Sequence, residues 1–138
     1  MTYEIAFLAL NAIFFIPWFF LFISNEPLFT KWQDHVSLLW FMSILYAILI
    51  AYSIYVHGGL TNMFDFEDLK SSFQRDEVML LAWLHYLVFD LFVGIHIQHK
   101  ICKKATYIRI PILILCLMLG PLGYAVYVLQ SDIQSRKS

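Results

Sequence analysis

The chain has 138 residues, of which 61% are hydrophobic, 18% aromatic and 14% charged, with a mean hydropathy of +0.71. A soluble domain carries roughly 25% charged residues, so the solvent for most of this chain is lipid, and its length fits one domain. A formal net charge of −1 leaves no basic track able to neutralise a run of phosphates, which argues against nucleic acid as a partner.

The first apolar segment runs from Tyr3 to Ser24. It has no basic leader region and no small-residue cleavage site, and its apolar run is longer than the core of a signal peptide, so it reads as a permanent span. No Arg/Ser-rich transit sequence precedes it, and the expected location is a bacterial inner membrane or an organelle membrane. Asn11 lies inside this span and can hydrogen-bond to a neighbouring helix. Pro17 interrupts it, which membrane helices tolerate where neighbours satisfy the freed carbonyl. A polar connection follows over Asn25–His35, with Lys31 beside Trp32 as an interfacial anchor. The second span covers Val36–His57. Ser43, Tyr46, Ala47, Ile50, Ser53 and His57 share one helical face, a small and polar stripe expected to face protein or a cavity.

The loop Gly58–Glu77 is the longest and most polar. Phe64, Phe66, Leu69 and Phe73 interleave there with charged residues, the pattern of a short amphipathic helix on the interface or of a lid. The third span covers Val78–Gln98. On a helical wheel Trp83, Tyr86, Asp90, Gly94 and Ile97 share a face roughly 80° wide. His85, Phe89, Phe92, His96 and His99 lie roughly 100° or more away from Asp90, so His85 and Asp90 do not point at one spot. The turn Gln98–Thr106 is basic. The fourth span, Tyr107–Leu129, has Arg109 just inside its start, placed to snorkel, and is broken in the middle at Gly120-Pro121-Leu122-Gly123-Tyr124, where backbone groups can line a cavity. The tail Gln130–Ser138 is polar and expected to fray. The dense cationic cluster before span four favours termini outside. The expected fold is all-α: a single four-span transmembrane domain over 1–138, an integral membrane four-helix bundle with a long polar loop between helices two and three.

The candidate chemistry centres on Asp90, the one carboxylate that belongs to no segment end or loop. A charged side chain at mid-helix in a bilayer costs roughly 2.5–3.5 kcal/mol on insertion scales, and low dielectric disfavours its charged form. A neutral Asp90 could donate a proton to a buried oxygen, and an ionised one could remove a proton from carbon. Tyr86 is its i, i+4 neighbour. The structural alternative is an acid bonded to Tyr86, Asn11 or Arg109 that holds helices together. No metal is expected: His85 and His96 are about 16 Å apart along a helix, and there is no His-Glu-x-x-His or cysteine cluster. Haem between His57 and His85 would have to bridge a depth difference of roughly 10 Å. Cys102 and Cys116 form no disulfide framework, and no nucleophile elbow is present.

The run Ala82-Trp83-Leu84-His85-Tyr86-Leu87-Val88-Phe89-Asp90-Leu91-Phe92-Val93-Gly94 resembles the signature of the abscisic-acid-deficient-four-like family, whose plant members are neoxanthin synthases. That signature reads Trp-x-His-x-x-x-x-Asp-Leu-Phe-x-Gly, matched here by Trp83, His85, Asp90, Leu91, Phe92 and Gly94. The run Leu117–Tyr124 resembles the Phe-Gly-Pro-x-Gly turn of the family's last helix. After Gly94 this chain has Ile95-His96 where the family pattern has Arg-Trp. The resemblance implies a cofactor-free isomerisation of an epoxy-carotenoid to an allenic carotenoid, with an acid at the epoxide oxygen and a base near the polyene. In that reading Asp90 is the acid or base, His85 its complement, and Tyr86 orients or relays. Asn11, Tyr46 and Gly94 belong to the substrate pocket, and Trp83, Phe89, Phe92 and the aromatics of span one line a slot for a long polyene.

The competing readings are a non-catalytic membrane module that binds a carotenoid, lipid or protein partner, and a haem-binding redox protein. The expected partners are a lipid-soluble polyene or other isoprenoid and membrane lipids. Gly94 and the Gly120–Gly123 turn permit close helix contact, within one chain or between chains of a homo-oligomer.

Overall fold

The computed structural model describes residues 2–24, 32–57, 65–101, 103–104 and 106–135, and among these every element is an α-helix. Five helices follow in order: α1 (Thr2–Ile23), α2 (Trp32–His57), α3 (Phe66–Phe73), α4 (Asp76–Ile101) and α5 (Thr106–Ser135). Helices α1, α4 and α5 are each long and apolar enough to cross a membrane, and α2 contributes a shorter apolar stretch, Trp40–Val56. At 1.5 Å per residue even the 22 residues of α1 extend about 33 Å, against a hydrocarbon core of about 30 Å. The outward faces of these helices carry Leu8, Phe19, Ile48, Tyr52 and Leu129 exposed, a surface suited to lipid and not to water.

Helix α4 is the hub. It packs against α1, α2, α3 and α5; α1 also touches α5, whereas α2 meets none of the other described helices. The reason is legible along α4 itself. Leu84, Leu87, Leu91, Gly94, Gln98 and Ile101 are buried at alternating steps of three and four residues, with Ile95 and Ile97 filling the flanks. That spacing is the seam a helix needs to pack on its neighbours. Leu113 and Cys116 of α5 and Phe14, Trp18 and Leu21 of α1 complete the core.

The polar segment between α2 and α4 is helical over α3, as its interleaved aromatics and charges predict. Asp65 caps α3, its carboxylate accepting from the Glu67 and Asp68 amides at 2.9 and 3.2 Å. Several boundaries differ from the sequence reading. α2 begins at Trp32 and α5 runs to Ser135, so the polar residues at both places continue a helix. Hydropathy marks where a helix leaves the apolar layer, and the helix itself can run on. The face of α2 turned to α4 is led by Met42, Tyr46 and Leu49, while Ser43 and Ala47 are exposed; the apolar side chains take the contact, and the small polar stripe lies partly outside it. Lys31, Gly58, Gly59, Phe64, Cys102 and the residues after 135 lie outside the described residues, as do the side chains of Trp32 and His57.

Candidate functional site

Helix α5 is two helices joined at a kink. Pro121 has no N–H to give the preceding turn, and Leu119 leaves the helical region at φ −147° and ψ 54°. Gly123 lies so close to the turn before the kink that an added Cβ would meet the backbone of Cys116, so the second half closes tightly on the first. Beside the kink the Tyr86 hydroxyl donates to the Met118 carbonyl at 2.7 Å.

Asp90 faces this kink. Its side chain is 2% exposed, and its Oδ1 rests on Gly120, where a Cβ would overlap it. Tyr86 lies one turn before Asp90 on α4, and Oδ2 is buried with no hydrogen-bond partner among the described residues. The Cys116 thiol donates to the Asp90 backbone carbonyl at 3.7 Å. The two motifs singled out in the sequence, one on α4 and one on α5, are therefore in direct contact, acid against glycine.

Beside them, between α1, α4 and α5, lies a cleft of about 380 Å³. Asn11, Phe14, Phe15 and Trp18 of α1, Trp83, Tyr86 and Leu87 of α4, and Leu117 and Met118 of α5 line it. Its polar side chains are fixed in place. The Asn11 amide donates to the Phe7 carbonyl at 2.7 Å and accepts from Trp83 Nε1 at 3.3 Å. Phe7, Trp83 and Tyr86 form a row of tilted rings with centroids 5.4 and 5.5 Å apart. An apolar hollow with few, well-placed polar groups is the usual form of a small-molecule site.

The sequence-derived candidates divide on this geometry. Asn11, Trp83 and Tyr86 line the cleft, with Asp90 one turn along α4 from Tyr86. His85 points toward α2, its ring 5.3 Å from that of Tyr46 and 6.4 Å from that of Phe89, and is not beside Asp90, as the helical wheel requires. Phe89 and Phe92 are half exposed, away from the cleft. Gly94 lies under the indole of Trp18, whose Cη2 would be 2.5 Å from an added Cβ; it shapes the cleft through that ring. Of the three structural partners considered for Asp90, the Asn11 amide is bonded to Phe7 and Trp83, Arg109 to the carbonyls of Ser24 and Phe22, and the Tyr86 hydroxyl to the Met118 carbonyl. Arg109 does not snorkel. It is 1% exposed and donates to the carbonyls of Ser24 at 2.7 Å and Phe22 at 3.1 Å, joined at Ser24 by Gln98 at 3.5 Å. It thereby satisfies the carbonyls left open at the end of α1 and ties α1 to α5.

A family model described as ABA DEFICIENT 4-like matches residues 5–127, which takes in α1 through most of α5. The chain belongs to the ABA DEFICIENT 4-like family. Neither the curated proteins nor the solved structures gave a match. In this member of the ABA DEFICIENT 4-like family, the contact between Asp90 and Gly120 joins the two stretches on which the resemblance rests.

Proposed function

We propose that the chain is a multi-pass membrane isomerase that converts an epoxy-carotenoid, or a related isoprenoid, into its allenic isomer by acid–base chemistry without a cofactor. In this reading α2 crosses as the fourth span, and the protein sits in a bacterial inner membrane or an organelle membrane. The observation that carries the reading is the carboxyl of Asp90, buried in an apolar bundle with Oδ2 unpartnered, next to a tyrosine that opens onto an apolar cleft. Leaving a buried polar oxygen unmatched costs about 1–3 kcal/mol, and acid–base function is a reason to retain it. Membership of the ABA DEFICIENT 4-like family supports a role related to neoxanthin synthesis.

The chemistry needs little else. Opening the epoxide requires a proton at the oxygen as the C–O bond breaks. The allene forms as a neighbouring polyene carbon loses a proton. The two transfers cancel, so the reaction needs no oxidant and no reductant. A positioned acid–base group contributes typically 10²–10⁴-fold. The test is conversion in lipid vesicles: purified protein is supplied with violaxanthin and the pigments are separated and weighed. The expected result is a new pigment of unchanged mass with an allenic end. Recovery of violaxanthin alone, from protein shown to be folded and to bind it, would remove the reading.

A second reading is favoured by one specific observation. Asp90 sits at the α4–α5 junction, where an acid that glues helices would also sit. A non-catalytic module that binds a carotenoid, lipid or protein partner then follows. Asp90→Asn separates the two: lost accumulation with full activity per molecule favours the module.

A further inference from the structure

Two side chains of the cleft keep hydrogen-bonding capacity in hand, and the two are complementary. A phenol has one proton to give, and Tyr86 gives its proton to the Met118 carbonyl at 2.7 Å. What Tyr86 offers the cleft is therefore an acceptor. A side-chain amide has two N–H groups and one carbonyl. Asn11 uses one N–H on the Phe7 carbonyl at 2.7 Å and its own carbonyl on Trp83 Nε1 at 3.3 Å. Those partners fix which way the amide faces, since Phe7 supplies an acceptor and Trp83 a donor. The second N–H of Asn11 has no acceptor among the described residues. Trp83 brings the two groups to one wall: it is bonded to Asn11, and its ring lies 5.5 Å from that of Tyr86.

The rest of the lining is aromatic or aliphatic, with no charged side chain. A ligand seated here is apolar and carries one polar group that both gives and accepts. A hydroxyl does both. A carbonyl, ether or epoxide oxygen has no proton for Tyr86, and a carboxylate finds no cation in the lining. The volume of about 380 Å³ is near the lower end of ligand pockets, roughly 300–1,000 Å³. It suits a ring and a short length of chain and not a whole carotenoid. Phe15 and Met118 line the cleft and are also exposed on the outer surface, so the cleft opens to lipid past them. We propose that the cleft seats the hydroxyl-bearing end ring of an isoprenoid, the hydroxyl giving its proton to Tyr86 Oη and accepting from Asn11 Nδ2, while the polyene runs out into the bilayer. Tyr86 and Asn11 are then specificity-determining residues. A hydrocarbon ring in the same seat would cover both groups and pair neither, which is how a hydrogen-bonding site rejects an analogue without the hydroxyl. The assignment rests on the isomerase reading in taking this cleft as the seat of the substrate, but the selection of a hydroxyl needs no turnover.

The experiment is a competition. Purified protein in dodecyl maltoside is incubated with equal amounts of zeaxanthin and β-carotene, which share one carbon skeleton and differ by a hydroxyl on each ring. The protein is re-isolated, the bound pigments are separated and quantified, and empty micelles carried through the same steps give the ratio due to detergent alone. We expect wild type to retain zeaxanthin over β-carotene by at least about tenfold beyond that ratio. Tyr86→Phe keeps the ring beside Trp83 and removes the acceptor, and the preference should fall below about threefold. Asn11→Leu should do the same; because it also releases Trp83, Tyr86→Phe decides alone if Asn11→Leu does not fold. Equal retention of the two pigments by wild type, retention of neither, or an undiminished preference in either folded variant would each overturn the proposal. A wild type that prefers zeaxanthin but leaves violaxanthin unconverted would overturn the isomerase reading and support the hydroxyl seat. Conversion of violaxanthin with no preference between the two pigments would do the reverse.

Discussion

At the scale of the residue, two side chains explain most of the interior polarity. Asp90 fits because position 120 has no side chain. Gly120→Ala should therefore push the carboxyl off its seat and cost about 1–3 kcal/mol through overpacking, read as a lowered thermal midpoint in detergent. Arg109 joins α5 to the end of α1 through two carbonyls. Bonds from a charged donor are worth about 1.5–3 kcal/mol each, so Arg109→Met should destabilise by at least that much, read as a lowered thermal midpoint in detergent. The two residues were not equally legible. Asp90 stands out in a sequence because a mid-span carboxylate has few reasons to exist. Arg109 lies near a segment start, where snorkelling is the economical reading; its true partners are backbone carbonyls of another helix, which no sequence pattern marks.

At the scale of the element, the kink in α5 and the cap of α3 decide local geometry. Pro121→Ala would restore the amide that closes the preceding turn. The expected outcome is a Leu117 carbonyl that regains its donor, a straighter α5, and turnover lost with thermal stability unchanged or raised. Equal turnover in Pro121→Ala would show that the kink does not set the site. For α3, Asp65→Ala removes both amide contacts of the cap and should cost about 1 kcal/mol, measured as faster hydrogen exchange at Glu67 and Asp68. Its exposed Lys70–Glu67 pair at 3.6 Å should contribute little. The break in α5 and the helix inside the polar loop were legible, because proline, glycine and alternating aromatics are local signals. The helix ends were not, since the largely polar runs Trp32–His35 at one end and Gln130–Ser135 at the other are ones that helices accept outside the apolar layer.

At the scale of the whole molecule, α4 carries the neighbours and thus separates two environments. Its α5 side holds Asp90 against the kink, its α1 side meets Trp18 and the cleft, and its α2 side holds His85 against Tyr46. The helical wheel separated the Asp90 and His85 faces from spacing alone. Which neighbour each face meets depends on how the helices assemble, so the expected slot of span-one aromatics and Trp83 is met by Phe14, Phe15, Trp18 and Trp83 in the cleft, while Phe89 and Phe92 lie elsewhere. The most direct measurement of the central claim is turnover of violaxanthin per folded molecule in vesicles, comparing wild type with Asp90→Asn. The account predicts an isomer of unchanged mass from wild type and a rate at least about 100-fold lower in the variant. Equal rates in the two would contradict it.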